Sequence, residues 1–181
     1  DDLPDGGAQV FADTLRELRR RKPGIGLELL TPDFQQCQDT AIAMVLDAPE
    51  RPIPLVWGHN VETVPRLYHT VRKGSRYQRS LQLLAKVARQ SGVEAKSSLM
   101  LGLGESRAEV LDVLRDLHAA GVRRVSLGQY LRPTRQHLPV QEYITPEMFE
   151  NYEWEARTLG CTLVITGALV RSSYHAEEKQ G

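Results

Sequence analysis

Cysteine is what this chain most lacks. Cys37 and Cys161 are the only two in 181 residues, and they stand far apart. That spacing excludes a disulfide framework, and it excludes a metal site built on closely spaced thiolates of this chain. Cys161 opens an apolar run and reads as a buried, inert thiol. Long apolar runs are missing too: none approaches the roughly 20 residues that span a bilayer, and no signal or transit pattern is visible. Neither sign of charge prevails, since 23 basic side chains meet 23 acidic ones. Such a balance argues against a nucleic-acid footprint or a membrane-surface protein. The short run Arg19-Arg20-Arg21-Lys22 closes a predicted helix, where cations offset the negative end of the helix dipole. No low-complexity segment or long linker is present. With 41% hydrophobic residues the chain can bury one substantial core, and a single domain over 1–181 is expected.

What is present is an alternation of helix and strand patterns. Residues 8–21 carry Val10, Phe11, Leu15 and Leu18 at helical spacing, stopped by Lys22-Pro23-Gly24. Ile25–Leu30 is a run of strand length, and Asp39–Leu46 is a helix. Pro54–Trp57 is a second strand. Tyr77–Gln90 has Leu81, Leu84, Val87 and Ala88 on one helical face, with Gly92 beyond its end. Ala95–Leu101 is the third strand, Arg107–Ala120 a helix, and Val122–Leu127 the fourth strand. The loop Arg132–Tyr143 is irregular. Thr145 then caps a helix with Pro146 at its first position, and Cys161–Thr166 is the last strand. Helices of this length between strands make βαβ units, hence an α/β fold with a parallel sheet and right-handed crossovers. Periodicity alone leaves open whether that sheet is doubly wound or part of a (β/α) barrel.

In either arrangement, function gathers in the loops leaving the C-terminal ends of the strands. Those loops here are Thr31-Pro32-Asp33-Phe34, Gly58-His59-Asn60-Val61-Glu62-Thr63, Gly102-Leu103-Gly104-Glu105 and Gly128-Gln129-Tyr130. The second rim supplies donors and acceptors in His59, Asn60 and Glu62 for a neutral, hydroxyl-rich ligand; equally, Asn60 suits a turn and Glu62 a helix start. The glycines of the third rim allow close approach of a flat ligand, or simply a strand-to-helix turn led by Glu105. His137, in the irregular loop, has no sequence neighbour that would make it a metal ligand or a base. Arg171-Ser172-Ser173-Tyr174 reads on its own as a polar turn.

Five words in fixed order carry more. They are Asp1–Ala8, His59–Tyr68, Ser98–Glu105, Gly128–Thr134 and Arg171–Ala176, and together they resemble lipoyl synthase, a family of radical S-adenosylmethionine (SAM) enzymes. The family holds two 4Fe–4S clusters on C-x3-C-x2-C and C-x4-C-x5-C motifs, and neither motif occurs here. The chain therefore reads as the later part of such an enzyme, without its cluster-bearing front, and as incomplete and inactive by itself. The resemblance implies a partial (β/α) barrel of the radical SAM type, with residues 168–181 as a C-terminal tail.

The same resemblance assigns roles. Gly6 and Gly7 fall near the methionyl part of SAM, Asn60 and Glu62 match the N-x-E-T segment, and Gly102, Gly104 and Glu105 match the stretch along the adenine. Gly58 departs from the family's usual Asn, and Thr134 replaces a Ser. Gln129, Tyr130, Arg132, His137 and Arg171 are implied substrate contacts. Ser172 or Ser173 would be the oxygen ligand of the auxiliary cluster. The implied activity is sulfur insertion at C6 and C8 of an octanoyl group on a lipoyl carrier protein or lipoyl domain, in lipoate biosynthesis. Implied partners are that carrier and an iron–sulfur cluster donor, with no nucleic acid and no membrane. The implied compartment is the cytoplasm, or a mitochondrion or plastid in a eukaryote. The alternative is a non-catalytic α/β module that binds SAM or the carrier protein.

Overall fold

A computed structural model of the protein describes residues 3–47 and 55–173. Its first helix, α1 (Ala8–Arg21), turns Ala8, Ala12 and Leu15 inward. The Asp5 carboxylate starts it by accepting from the Gly7 and Gln9 amides at 2.9 Å each. The succession continues with β1 (Leu27–Leu30), α2 (Gln38–Leu46) and β2 (Leu55–Gly58), then a 3-10 turn (Pro65–Leu67) and the short α3 (Tyr68–Val71). It ends with α4 (Tyr77–Ala88), β3 (Val93–Leu101), α5 (Arg107–Ala119), β4 (Arg124–Gln129), α6 (Pro146–Leu159) and β5 (Leu163–Gly167). The Ser106/Glu109 capping box opens α5 and the Thr145 hydroxyl opens α6. No helix among the described residues is long and apolar enough to cross a membrane.

The five strands of the described residues are all parallel and pair in the order β1-β2-β3-β4-β5. A doubly wound sheet reverses its order at a switch point. Here every strand lies beside its sequence neighbour, which is the order of a (β/α) barrel arc. The alternative that periodicity left open is thus decided by strand order.

The two faces of the sheet differ sharply. Leu29, Leu55, Trp57, Leu99, Leu101, Leu127 and Val164 are buried and form the core with the helices. Trp57 is fully buried and donates its indole N–H to Thr31 Oγ1 at 2.9 Å. Truncating such a side chain to Ala costs about 3–5 kcal/mol. The opposite face carries charged and hydroxyl side chains among Leu30, Val56, Met100 and Ile165. Lys96, 4% exposed, pairs with Glu28 at 2.7 Å across the intervening β2. Arg124 pairs with Glu94, and the Ser98 and Ser126 hydroxyls meet at 2.7 Å.

Some boundaries differ from the sequence expectation for local reasons. Ile25 belongs to the turn after α1, its N–H bonded to Lys22 O at 3.3 Å, so β1 starts two residues later. Val122 is apolar because it is buried, but its N–H closes α5 onto Leu117 O at 3.0 Å. β4 instead runs on through Gly128 and Gln129, which pair with Met100 and Leu101. Pro54, expected to open the second strand, lies outside the described residues, as do Asp1, Asp2 and Tyr174 onward.

Candidate functional site

The C-terminal end of the sheet carries a pocket of about 350 Å³, within the range of small-molecule sites. Asn60 and Glu62 enter it from beyond β2, Ser98 and Met100 from β3, Gln129 and Tyr130 from the end of β4, and Arg171 and Ser172 from beyond β5. Leu30, Leu131, Pro133 and Val170 add an apolar wall.

Glu62 is held with unusual firmness. Its N–H donates to Ser98 O at 3.0 Å and its carbonyl accepts from Met100 N–H at 2.8 Å, so it continues the β2–β3 ladder beyond the named strands. It does so at φ 65, a left-handed conformation uncommon for a side-chain-bearing residue. Strain of this kind, fixed by neighbouring hydrogen bonds, is concentrated at functional sites. Burial pushes the Glu62 carboxyl above the usual carboxylate range, opposed by a hydrogen bond with Asn60 and by the charge of Arg72. Arg72 reaches the same loop, donating to Asn60 O at 2.9 Å. Its guanidinium lies 5.6 Å from the Tyr68 ring centroid.

His59, expected beside Asn60 and Glu62, turns away from the pocket. It is 1% exposed, with Nδ1 2.9 Å from Thr31 O and Nε2 2.9 Å from Ser80 Oγ. A carbonyl only accepts, so Nδ1 carries the proton and Nε2 accepts from the serine. Burial pushes its pKa down, against the raising effect of the Thr31 hydrogen bond. His59 therefore fastens β2 to the first rim and to α4. That rim is a buttress: the Asp33 carboxylate, 3% exposed, pairs with Arg79 at 2.6 Å, and Phe34 packs edge-on against Phe11 and Trp57.

The glycine-rich third rim does not line the pocket. Glu105 folds back on its own turn, accepting from Gly102 N–H at 2.5 Å and Leu103 N–H at 2.9 Å. Gly102, at φ 95, has the Gln129 amide and the Glu142 carbonyl where a Cβ would stand. Gly104 is more open, its missing Cβ 3.5 Å from the Gln141 side chain.

Gln129 is 3% exposed, and its amide is committed to backbone. Nε2 donates to Leu101 O, Tyr130 O and Glu142 O at 3.0–3.1 Å, and Oε1 accepts from Ile144 N–H at 2.9 Å. Tyr130 donates to Leu138 O at 2.9 Å. Arg132 donates to His137 O at 2.8 Å and also to Arg135 O, while His137 Nδ1 meets Thr134 Oγ1 at 2.9 Å. Arg132 and His137 thus knit the irregular loop and stay outside the pocket lining, which Leu131 and Pro133 provide. Gly6 lies beside Phe34 and Gly7 caps α1; neither is in the lining of this pocket.

In the tail, Ser172 lines the pocket and Ser173 is exposed outside it. Arg171 lines it too, with Nη1 2.6 Å from Val170 O. Among the described residues no three His, Cys, Asp or Glu side chains gather as a metal-binding group. Cys161 is buried, its thiol pushed up by burial, and Cys37 precedes α2; neither lines this pocket. Among the described residues, the pocket wall offers a cluster the hydroxyls of Ser98 and Ser172, the former already bonded to Ser126, and no group of His, Cys, Asp or Glu ligands. For an adenosyl ligand the fit is better: Asn60 and Glu62, both half-buried, line a cavity of suitable size.

No protein-family model matches the chain. Individual relatives do. Lipoyl synthase of Citrifermentans bemidjiense is 51% identical over 178 residues, which covers 98% of this chain and 59% of that protein. The lipoyl synthases of Aliivibrio fischeri and Proteus mirabilis are 50% and 47% identical over the same length, 54% of each being covered. The chain thus spans little more than half the length of the curated relatives it matches. Over nearly all of its own residues the chain is similar to the lipoyl synthases, and it matches one segment of each.

Proposed function

We propose that this chain is the C-terminal part of a lipoyl synthase and forms one unit ending in the 168–181 tail. In this reading it supplies the adenosyl-binding and tail elements of an enzyme that inserts sulfur at C6 and C8 of a protein-bound octanoyl group. The observation that carries the reading is the convergence of Asn60, Glu62, Arg171 and Ser172, from two stretches of sequence more than a hundred residues apart, on one pocket at the C-terminal end of the sheet. When bound, SAM and its cluster supply hydrogen-abstracting radical chemistry and the auxiliary cluster supplies sulfur.

This chain's own residues bind and orient. Asn60 and Glu62 hold the ribose hydroxyls of SAM, with the Glu62 carboxylate accepting. The Gly102–Glu105 turn, though not part of the pocket lining, borders the adenine by its outer, Gly104 side. The wall of Leu30, Leu131, Pro133 and Val170 keeps water from the acyl chain. Arg171 balances negative charge at the tail. Ser172, on the pocket wall, is the cluster-facing serine, and Ser173 is not. The thiolate ligands come from outside this chain, so the chain alone is inactive. The protein substrate is an octanoylated lipoyl carrier protein or lipoyl domain, met in the cytoplasm or its organellar equivalent.

The test is an assay of this chain fused behind the front half of the Proteus mirabilis lipoyl synthase, reconstituted anaerobically with iron and sulfide. The fusion should cleave SAM to 5′-deoxyadenosine and make lipoyl product. Ser172→Ala should abolish product while sparing SAM cleavage, and Ser173→Ala should spare both. The unfused chain, treated identically, should do neither. Product from the Ser172→Ala fusion at the parent's rate would refute the tail assignment. SAM cleavage by the unfused chain would refute the division of labour.

A further inference from the structure

Arg66 belongs to the 3-10 turn four residues beyond Glu62, and its side chain crosses to the third rim. Nε donates to Glu109 Oε1 at 2.7 Å and Nη2 to Glu109 Oε2 at 3.0 Å, the two-pronged pairing that gives an Arg–carboxylate contact a fixed orientation. Nη2 also donates to Gly104 O at 2.8 Å. Glu109 is no free surface acid: its Oε2 accepts from Ser106 N–H at 2.8 Å, closing the capping box of α5. With Arg66 beside it, its carboxyl is held down to about 2. One guanidinium therefore joins the loop of Glu62, the Gly102–Glu105 turn and the first turn of α5.

The turn is braced unequally without it. Gly102 is wedged by Gln129 and Glu142, whereas Gly104 is exposed, with only the Gln141 side chain near its missing Cβ. Glu62, for its part, is locked to β3 by two backbone hydrogen bonds. We infer that Arg66 is a positioning residue that fixes the distance between Glu62 and the Gly104 half of the turn, and thereby sets the fit of the adenosyl ligand between them. This rests on the reading that the chain binds SAM. Neither Lys nor a smaller residue can replace the fork, because an ammonium cannot serve both carboxylate oxygens and the Gly104 carbonyl in one plane.

The experiment uses the full chain, with Arg66→Lys, Arg66→Ala and, as a control for loss of an exposed ion pair, Arg115→Ala; Arg115 pairs with Asp112 on α5 itself. Three quantities are read: amide hydrogen exchange over Leu103–Ser106, calorimetric affinity for SAM, and the thermal midpoint. An exposed pair contributes little to global stability, so all variants should melt within a few degrees of the parent. Both Arg66 variants should exchange about tenfold faster over that turn and bind SAM about fivefold to tenfold more weakly; Arg115→Ala should match the parent in both. Parental SAM affinity in Arg66→Ala overturns the inference, whether or not exchange is faster. A loss equal in Arg115→Ala overturns it as well. If the parent chain binds no SAM at all, the functional reading itself has failed, and the exchange data still report separately whether Arg66 holds the turn.

Discussion

The side-chain amide of Gln129 fills the space that a side chain at residue 102 would need. The sequence offers glycine at 102 as room for a flat ligand, yet the room is taken by protein: Gln129 ties Leu101, Tyr130, Glu142 and Ile144 together there. The third rim is therefore a packed joint between β3, β4 and the 141–144 segment. Any ligand it borders meets its outer, Gly104 side.

Gly102→Ala should accordingly be far more damaging than Gly104→Ala. At 102 the new methyl overlaps two polar groups and the residue sits at φ 95; at 104 only the backbone conformation, φ 99, is adverse. Left-handed strain of about 1–3 kcal/mol applies to both, with overpacking of about 1–3 kcal/mol added only at 102. Urea unfolding of the two variants checks this, and equal losses would contradict the packed joint.

His59 gives the fold an acid-side sensitivity. Burial depresses its pKa, so the neutral form contributes fully above the unfolded value of about 6.5, and stability is lost as pH falls from there towards the lower folded value. The urea midpoint of the parent should fall more between pH 7.5 and 5.5 than that of His59→Gln, which cannot take up a proton. Equal falls would show that the buried imidazole is not the responsible group.

Glu62 acts in the opposite sense. Its raised pKa means that stability is fully present below the unfolded value, about 4.3 for a free Glu, and is lost as pH rises through the folded one. Glu62→Gln should therefore raise the urea midpoint at pH 7 and leave it unchanged at pH 4, while weakening ligand binding. A variant less stable than the parent at pH 7 would show that the carboxylate is not strained by its burial.

Much of the fold is legible locally. The Leu81, Leu84 and Val87 stripe, the Ser106/Glu109 box and the Thr145-Pro146 start mark helices that the structure contains almost to the residue. The placing of Asn60 and Glu62 at the pocket follows from their position just beyond a strand end, which sequence patterns show; Ser172 reads locally as a polar turn, and only the fold brings it to the same pocket. The rest is non-local. Strand order separates a barrel arc from a doubly wound sheet and has no short-range signal. Arg66 meets Glu109 across 43 residues, and nothing in Val64-Pro65-Arg66 announces it. The direction of His59 is not legible locally, because a polar word beside Asn60 and Glu62 looks like ligand chemistry. Yet Ser80, its partner 21 residues on, is buried within the apolar stripe of α4. A serine on a buried helix face was the available clue.

The most direct measurement of the central claim is a calorimetric titration of SAM into the full chain, compared with Asn60→Ala and Glu62→Ala. The account predicts one site per chain in the parent and a loss of about tenfold or more in each variant, since both remove polar contacts from a buried ligand. Parental affinity in both variants, or no binding by the parent, would contradict the assignment of this pocket.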